Sequence, residues 1–123
     1  MSALAEASLT DSERRALNQL VPTLEDEFGP RLRSVWLYGS RARGEQPNDE
    51  SDVDLLVVLD NQLPGDDFKV IRTVSNVVDN AGVNPLLFSP LVYDVDRIAQ
   101  RREIRSFFIQ EVDRDKIVLF GDP

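Results

Sequence analysis

The sequence predicts an α/β (α+β) fold, a small mixed β-sheet of about four strands with helices packed against it. Three observations carry that expectation. Residues 53–59 are apolar at nearly every position, as in a central strand covered on both faces. Two longer segments, beginning near Asp11 and near Phe68, repeat their apolar residues at helical spacing. Shorter apolar runs punctuated by Gly and Pro fall between and after them, giving the order helix, strand, short helix, strand, helix, strand, helix, strand.

Thr10 followed by Glu13 has the spacing of a capping box, with Leu9 placed as a hydrophobic staple. Leu17, Leu20, Val21, Leu24 and Phe28 then mark a first helix over 11–27, with Pro22 inside it as a possible kink and Gly29-Pro30 as its stop. Val35, Trp36, Leu37 and Tyr38 form a short strand over 34–38 that ends on Gly39. Residues 40–48 are polar and contain glycine, a turn or a short helix, and the strand at 53–59 follows. After a loop at 60–67, the residues Phe68, Ile71, Val74, Val77, Val78 and Ala81 define the apolar face of a second long helix, with Gly82 at its C-terminal cap. A third strand is expected over 86–88 between Pro85 and Pro90, one or two helices over 92–110, and a fourth strand over 117–120 before Gly121.

At 123 residues the chain fits one domain spanning 1–123. It has no apolar run long enough to cross a bilayer and no basic-then-apolar start, so the expected location is the cytoplasm. The chain has neither Cys nor His, which excludes thiolate and imidazole nucleophiles, imidazole triads and the usual zinc ligands. Any metal must be held by carboxylate oxygens, which suit hard cations such as Mg²⁺ or Mn²⁺. A net charge of −8 argues against broad nucleic-acid binding while leaving small nucleotides possible.

The chemistry concentrates in residues 37–58, LYGSRARGEQPNDESDVDLLVV. A strand ending in Gly39 and Ser40 before a turn directs backbone N–H groups and a hydroxyl toward one point, suited to a phosphate oxygen. Asp52 and Asp54 lie two residues apart at the start of a strand, so both carboxylates leave the same face. Crowded together they repel, and a divalent cation is their natural counter-ion. Two ions roughly 3.5–4 Å apart would grip the attacking and leaving oxygens of an in-line displacement without an imidazole base. Taken singly, a Gly-Ser is usually an ordinary turn and an Asp-x-Asp a solvated strand end.

Joined as they are here, Gly39-Ser40-Arg41-Ala42-Arg43-Gly44-Glu45, then five residues, then Ser51-Asp52-Val53-Asp54-Leu55, they resemble the signature of the minimal nucleotidyltransferase family within the DNA polymerase β-like nucleotidyltransferase superfamily. The resemblance implies a nucleotidyltransferase-like fold and transfer of a nucleoside monophosphate, commonly AMP from ATP, to a hydroxyl. It implies that Gly39 and Ser40 bind the triphosphate and that Asp52 and Asp54 are the catalytic metal ligands. Arg43 either reaches a phosphate or pairs with Glu45.

Active members of the superfamily generally add a third carboxylate from a later strand. The corresponding stretch here, residues 83–89, contains no acid, and Asn84 is its nearest polar ligand. Asp79 and Asp94 would serve only with different strand boundaries. A catalytically weak or inactive nucleotide-binding or interaction module is therefore the alternative expectation. The resemblance extends to antitoxins of toxin–antitoxin pairs, which implies a small helical HEPN-type partner as acceptor. Arg97, Arg101 and Arg105, with Arg102, would form a basic stripe on a continuous helix, partly neutralised by Asp94, Asp96, Glu103 and Glu111.

Overall fold

The computed structural model describes residues 7–46 and 52–123. Its four strands are β1 (Leu32–Tyr38), β2 (Val53–Leu59), β3 (Phe88–Asp94) and β4 (Ile117–Gly121), hydrogen-bonded in the order β3-β2-β1-β4. β1 runs antiparallel to β2 and β4, while β2 and β3 are parallel, so the sheet is mixed as the sequence predicts. Parallel neighbours need a long crossover, and here it is the helix α3 (Asp66–Asn80). The remaining helices are α1 (Asp11–Phe28), α2 (Gly39–Ala42), α4 (Val95–Glu103) and α5 (Phe107–Asp115).

The first helix starts where the capping box places it. The Glu13 N–H donates to Thr10 Oγ1 at 3.1 Å, and the Thr10 N–H donates to Glu13 Oε1 at 2.8 Å. The helix passes through Pro22 on its exposed side and ends at Gly29, whose φ of +58° breaks the helical path. Alternation along β1 and β2 then sorts the core into two layers. Val35, Leu37, Val53, Leu55, Val57 and Leu59 pack with Leu17, Leu20 and Leu24 of α1 and with Val70, Val74 and Val78 of α3. Trp36, Leu56 and Val58 face the other way, onto Ile98 of α4 and Ile109 and Val112 of α5. The strand at 53–59 is buried on both faces, as its unbroken apolar run requires.

Three expectations need correction. The buried stripe of α3 is Val70, Thr73, Val74 and Val78, whereas Phe68 and Ile71 are exposed, because contact with α1 follows the 70-74-78 row. The third strand is not 86–88: Pro85–Leu87 is a 3₁₀ turn and the strand begins at Phe88. Pro90 is tolerated inside it because β3 is an edge strand, and an edge needs no N–H donor on its outer side. The one or two helices expected over 92–110 are two, α4 and α5, and the first begins only at Val95. Arg105 lies in that break with a φ of +54°, so Arg97, Arg101 and Arg105 do not share one helix. Arg97 stacks 4.0 Å from the Tyr93 ring centroid, and Arg102 grips Asp113 through two hydrogen bonds of 3.0 and 2.9 Å.

β4 closes the sheet against β1. Its last residue, Gly121, has a φ of +76°, and a Cβ there would overlap the Arg33 carbonyl, so only glycine lets the strands approach. Beyond it the Asp122 carbonyl accepts from Ser34 Oγ and Trp36 Nε1, both at 2.7 Å. Among the described residues no helix is long and apolar enough to cross a membrane.

Candidate active site

The site lies where β1 ends and β2 begins. The chain leaves β1 at Tyr38 and turns immediately into the single-turn helix α2. Gly39 makes that turn with a φ of +80°, and a Cβ on it would overlap Asp54 Oδ2. Both dihedral and space therefore demand glycine. Pairing aligns Tyr38 with Asp54 across β1 and β2, and Asp54 with Ser89 across β2 and β3. Residues aligned in this way share one face of the sheet, the face covered by α4 and α5. Ser89 also reaches Asp52, donating from Oγ to Oδ2 at 3.1 Å, so the two aspartates meet beside one serine as the alternation of strand side chains requires.

A cleft of about 440 Å³ opens over this row. Tyr38, Gly39, Ser40, Arg43 and Asp54 form one wall, and Phe108, Glu111, Val112 and Asp115 of α5 form the other. Of the residues expected to act together, Gly39, Ser40, Arg43 and Asp54 line the cleft, whereas Asp52 is not among its lining residues and accepts from Ser89. Tyr38 meets Phe108 edge-on with centroids 5.6 Å apart, joining the two walls, and Phe108 meets Tyr93 at 5.9 Å.

Burial, and next the negative charge of Asp52, push the Asp54 carboxyl up to about 6, against the opposing pull of Arg41 and Arg43. Burial, with Asp54 and Tyr93 nearby, also raises the Tyr38 hydroxyl above its ordinary range and keeps it a neutral donor. Arg43 donates to Glu45 and, at 3.1 Å from Nη1, to Asp115. The pairing with Glu45 left open by the sequence is thus present, joined by a second carboxylate from α5. Arg41 turns away from the cleft. It is buried, pairs with Glu13 at 2.8 Å and donates to the Ser8 carbonyl at 2.9 Å, which fastens α2 to α1.

The nucleotidyltransferase domain model matches residues 17–118, most of the chain and all of this cleft. This chain belongs to the nucleotidyltransferase domain family. A Methanocaldococcus jannaschii protein with the provisional name protein adenylyltransferase is 37% identical to this chain over 49 residues, which are 40% of the chain and 48% of that relative. The match thus spans about half the relative's length. Among solved structures, a mutant MntA–HpeT toxin–antitoxin chain is 16% identical, with a TM-score of 0.53 over 86% of this chain and 73% of that one. A toxin–antitoxin structure with AMP-PNP gives a TM-score of 0.53 at 19% identity, over 85% and 73% of the two chains. The tri-AMPylated Shewanella oneidensis HEPN toxin in complex with MNT antitoxin gives 0.52 at 16% identity, over 89% and 72%. At these identities the likeness establishes the nucleotidyltransferase fold alone.

Two carboxylates beside one cleft, one of them burdened by burial and by the other's charge, are a donor set that fits a hard divalent cation. Among the described residues no third acidic side chain joins them. A pair suits Mg²⁺ that completes its shell from water and phosphate oxygens. Asn84 is not the replacement for a third acid, because its side chain accepts from the Leu86 N–H and caps the 3₁₀ turn. Asp94 stands at the far end of β3, opposite Leu59, and caps α4, while Asp79 is exposed on α3 across the sheet. The residue in register with Asp54 is Ser89. The sequence reading missed Ser89 in this role, and also Tyr38, Phe108, Glu111, Val112 and Asp115. Nothing local marks Ser89 as the partner of Asp54, and nothing local announces α5 as the second wall.

Proposed function

We propose that this chain transfers a nucleoside monophosphate, AMP from ATP, to a hydroxyl on a partner protein. The observation that carries the reading is the register Tyr38–Asp54–Ser89, which sets Asp54 against the Gly39 turn in a cleft lined also by Ser40 and Arg43. In this reading Gly39 and Ser40 receive the triphosphate, and Arg43 contributes a guanidinium to it. Asp52 and Asp54 would hold Mg²⁺ or Mn²⁺, which supplies neutralisation of phosphate charge when bound. The acceptor oxygen bonds to the α-phosphorus as the bond to pyrophosphate breaks, and the hydroxyl proton passes to solvent. Tyr38 and Phe108 give the cleft an apolar side that suits a base. The name of the curated relative and the AMPylated HEPN toxin of the structural neighbour support AMP as the group transferred and a HEPN-type protein as the acceptor, and hence an antitoxin role.

Calorimetry with ATP and Mg²⁺ tests the site. The expected result is binding by the native chain and its loss in Asp52→Asn plus Asp54→Asn, with a drop of about 100-fold or more in affinity. Equal binding by both proteins would remove the metal site from the proposal. Incubation with labelled ATP and the partner then reads transfer directly.

Ser89 favours a second reading, a nucleotide-binding or interaction module with little transfer activity. A hydroxyl is a weaker ligand for a hard cation than a carboxylate, and this one is engaged with Asp52. Under this reading Ser89→Asp raises transfer of label by about tenfold or more through a better-held metal. Strong transfer by the native chain, with no gain in the variant, excludes it.

A further inference from the structure

The cleft contains an ion-pair network that the triphosphate reading alone does not explain. Arg43 stands on the phosphate wall with both edges of its guanidinium engaged, Nε by Glu45 and Nη1 by Asp115 at 3.1 Å. Asp115 comes from the end of α5, 72 positions away in sequence, and lines the opposite wall. Its side chain is only 11% exposed. It also has a second cationic partner: Arg114 donates to it from Nε at 3.1 Å and from Nη2 at 3.0 Å.

A nearly buried carboxylate stripped of its only cation would be costly to leave behind. Asp115 avoids that cost, because Arg114 keeps both of its oxygens bonded if Arg43 departs. Glu45, the other partner of Arg43, is 54% exposed and is readily hydrated once released. Arg43 can therefore change partners without stranding a buried charge. A polyphosphate is the kind of partner that would draw it, since a guanidinium binds phosphate bidentately and more strongly than it binds one edge of a carboxylate.

We propose that Asp115 is a positioning residue that holds Arg43 on the cleft wall and yields it to the entering polyphosphate, with Arg114 taking over the released carboxylate. This rests on the cleft being the triphosphate site. Arg43 braces the end of α2 against α5, and a bound polyphosphate would trade that brace for a phosphate contact. Asp115 consequently opposes binding: its charge must be displaced, and it also faces the incoming anion.

The test is calorimetric titration of the full chain with ATP in Mg²⁺, at two salt concentrations, for the native protein, Asp115→Asn, Glu45→Gln, Arg43→Ala and Arg43→Ala plus Asp115→Asn. Asp115→Asn is expected to tighten ATP binding by about three- to fivefold, the scale of one partly exposed ion pair. Glu45→Gln acts in the same direction more weakly. Adenosine, which lacks phosphate, shows no gain, and the Asp115→Asn gain shrinks in the Arg43→Ala background because the two residues are coupled. A merely structural Asp115 would change adenosine and ATP binding together. Unchanged or weaker ATP binding by both Asp115→Asn and Glu45→Gln, with the native chain still binding, overturns the exchange and leaves the triphosphate site standing. No ATP binding by the native chain overturns both.

Discussion

Replacing Glu13 with Ala is expected to cost about 3–5 kcal/mol of stability, because it removes one half of a buried ion pair. Glu13 is 3% exposed and Arg41 5%. One carboxylate oxygen, Oε1, accepts both from Arg41 at 2.8 Å and from the Thr10 N–H at 2.8 Å, so the change also dissolves the capping box of α1. Urea denaturation should show a lower midpoint at unchanged slope, and the loss should persist in high salt, since a pair this buried is poorly screened. Glu13→Gln separates the contributions, for an amide oxygen can still accept at the cap but carries no charge for Arg41. Asp26→Ala, exposed on the same helix, is the control and should stay within about 0.5 kcal/mol. A loss below about 1 kcal/mol for Glu13→Ala would mean that the pair is neutral to stability. The consequence reaches the cleft, because Arg41 sits between Ser40 and Ala42 and ties α2 to the α1 layer. A loosened Arg41 blurs the Gly39–Ser40 turn, so nucleotide binding should weaken in the same variant even where it remains folded.

Much of this arrangement was legible in local sequence, for reasons that differ from element to element. Thr10 and Glu13 declare a helix start because both hydrogen bonds of the capping box are made within one turn. The run Val53–Leu59 declares a central strand because a strand covered on both faces has no polar position to offer. Gly39, Ser40, Asp52 and Asp54 could be joined because the glycine turn and the two aspartates lie at facing ends of adjacent strands, close in sequence. The third strand was misjudged because Pro90 suggests a boundary anywhere except on an edge, and edge status is decided by the order of the whole sheet. Ser89 lay within the stretch considered and was still passed over, because its place opposite Asp54 is a matter of register between strands. Asp115 and Phe108 were beyond local reading altogether. They reach the cleft only because α5 packs Ile109 and Val112 against Trp36, Leu56 and Val58, a contact made by distant segments. Arg41 and Arg43 show the same limit on a smaller scale. Two residues apart in one motif, one is buried as a tie to α1 and the other faces the cleft, and composition does not distinguish them.

Replacing Asp54 with Asn is expected to make the nucleotide-free protein more stable at neutral pH while abolishing its stabilisation by Mg²⁺ and ATP. Burial and the charge of Asp52 raise this carboxyl from 3.8 to about 6 in the folded chain. Between those values the folded state binds more protons than the unfolded state, so native stability falls as pH rises through the window and is lowest, in this respect, above it. Asparagine has no proton to lose. Urea midpoints for native and variant proteins should therefore be similar near pH 4 and diverge in favour of the variant up to about pH 7. With ATP and Mg²⁺ at about 100 times the dissociation constant, the native protein should gain about 2.7 kcal/mol and the variant little of it. An Asp54→Asn protein less stable than the native one at pH 7 without ligand would mean that some partner already favours the charged carboxylate. The opposite signs expected with and without ligand arise from a single cause. A carboxylate half-buried beside another is costly until a cation shares it, and the charges of Arg41 and Arg43 offset only part of that cost in the folded chain.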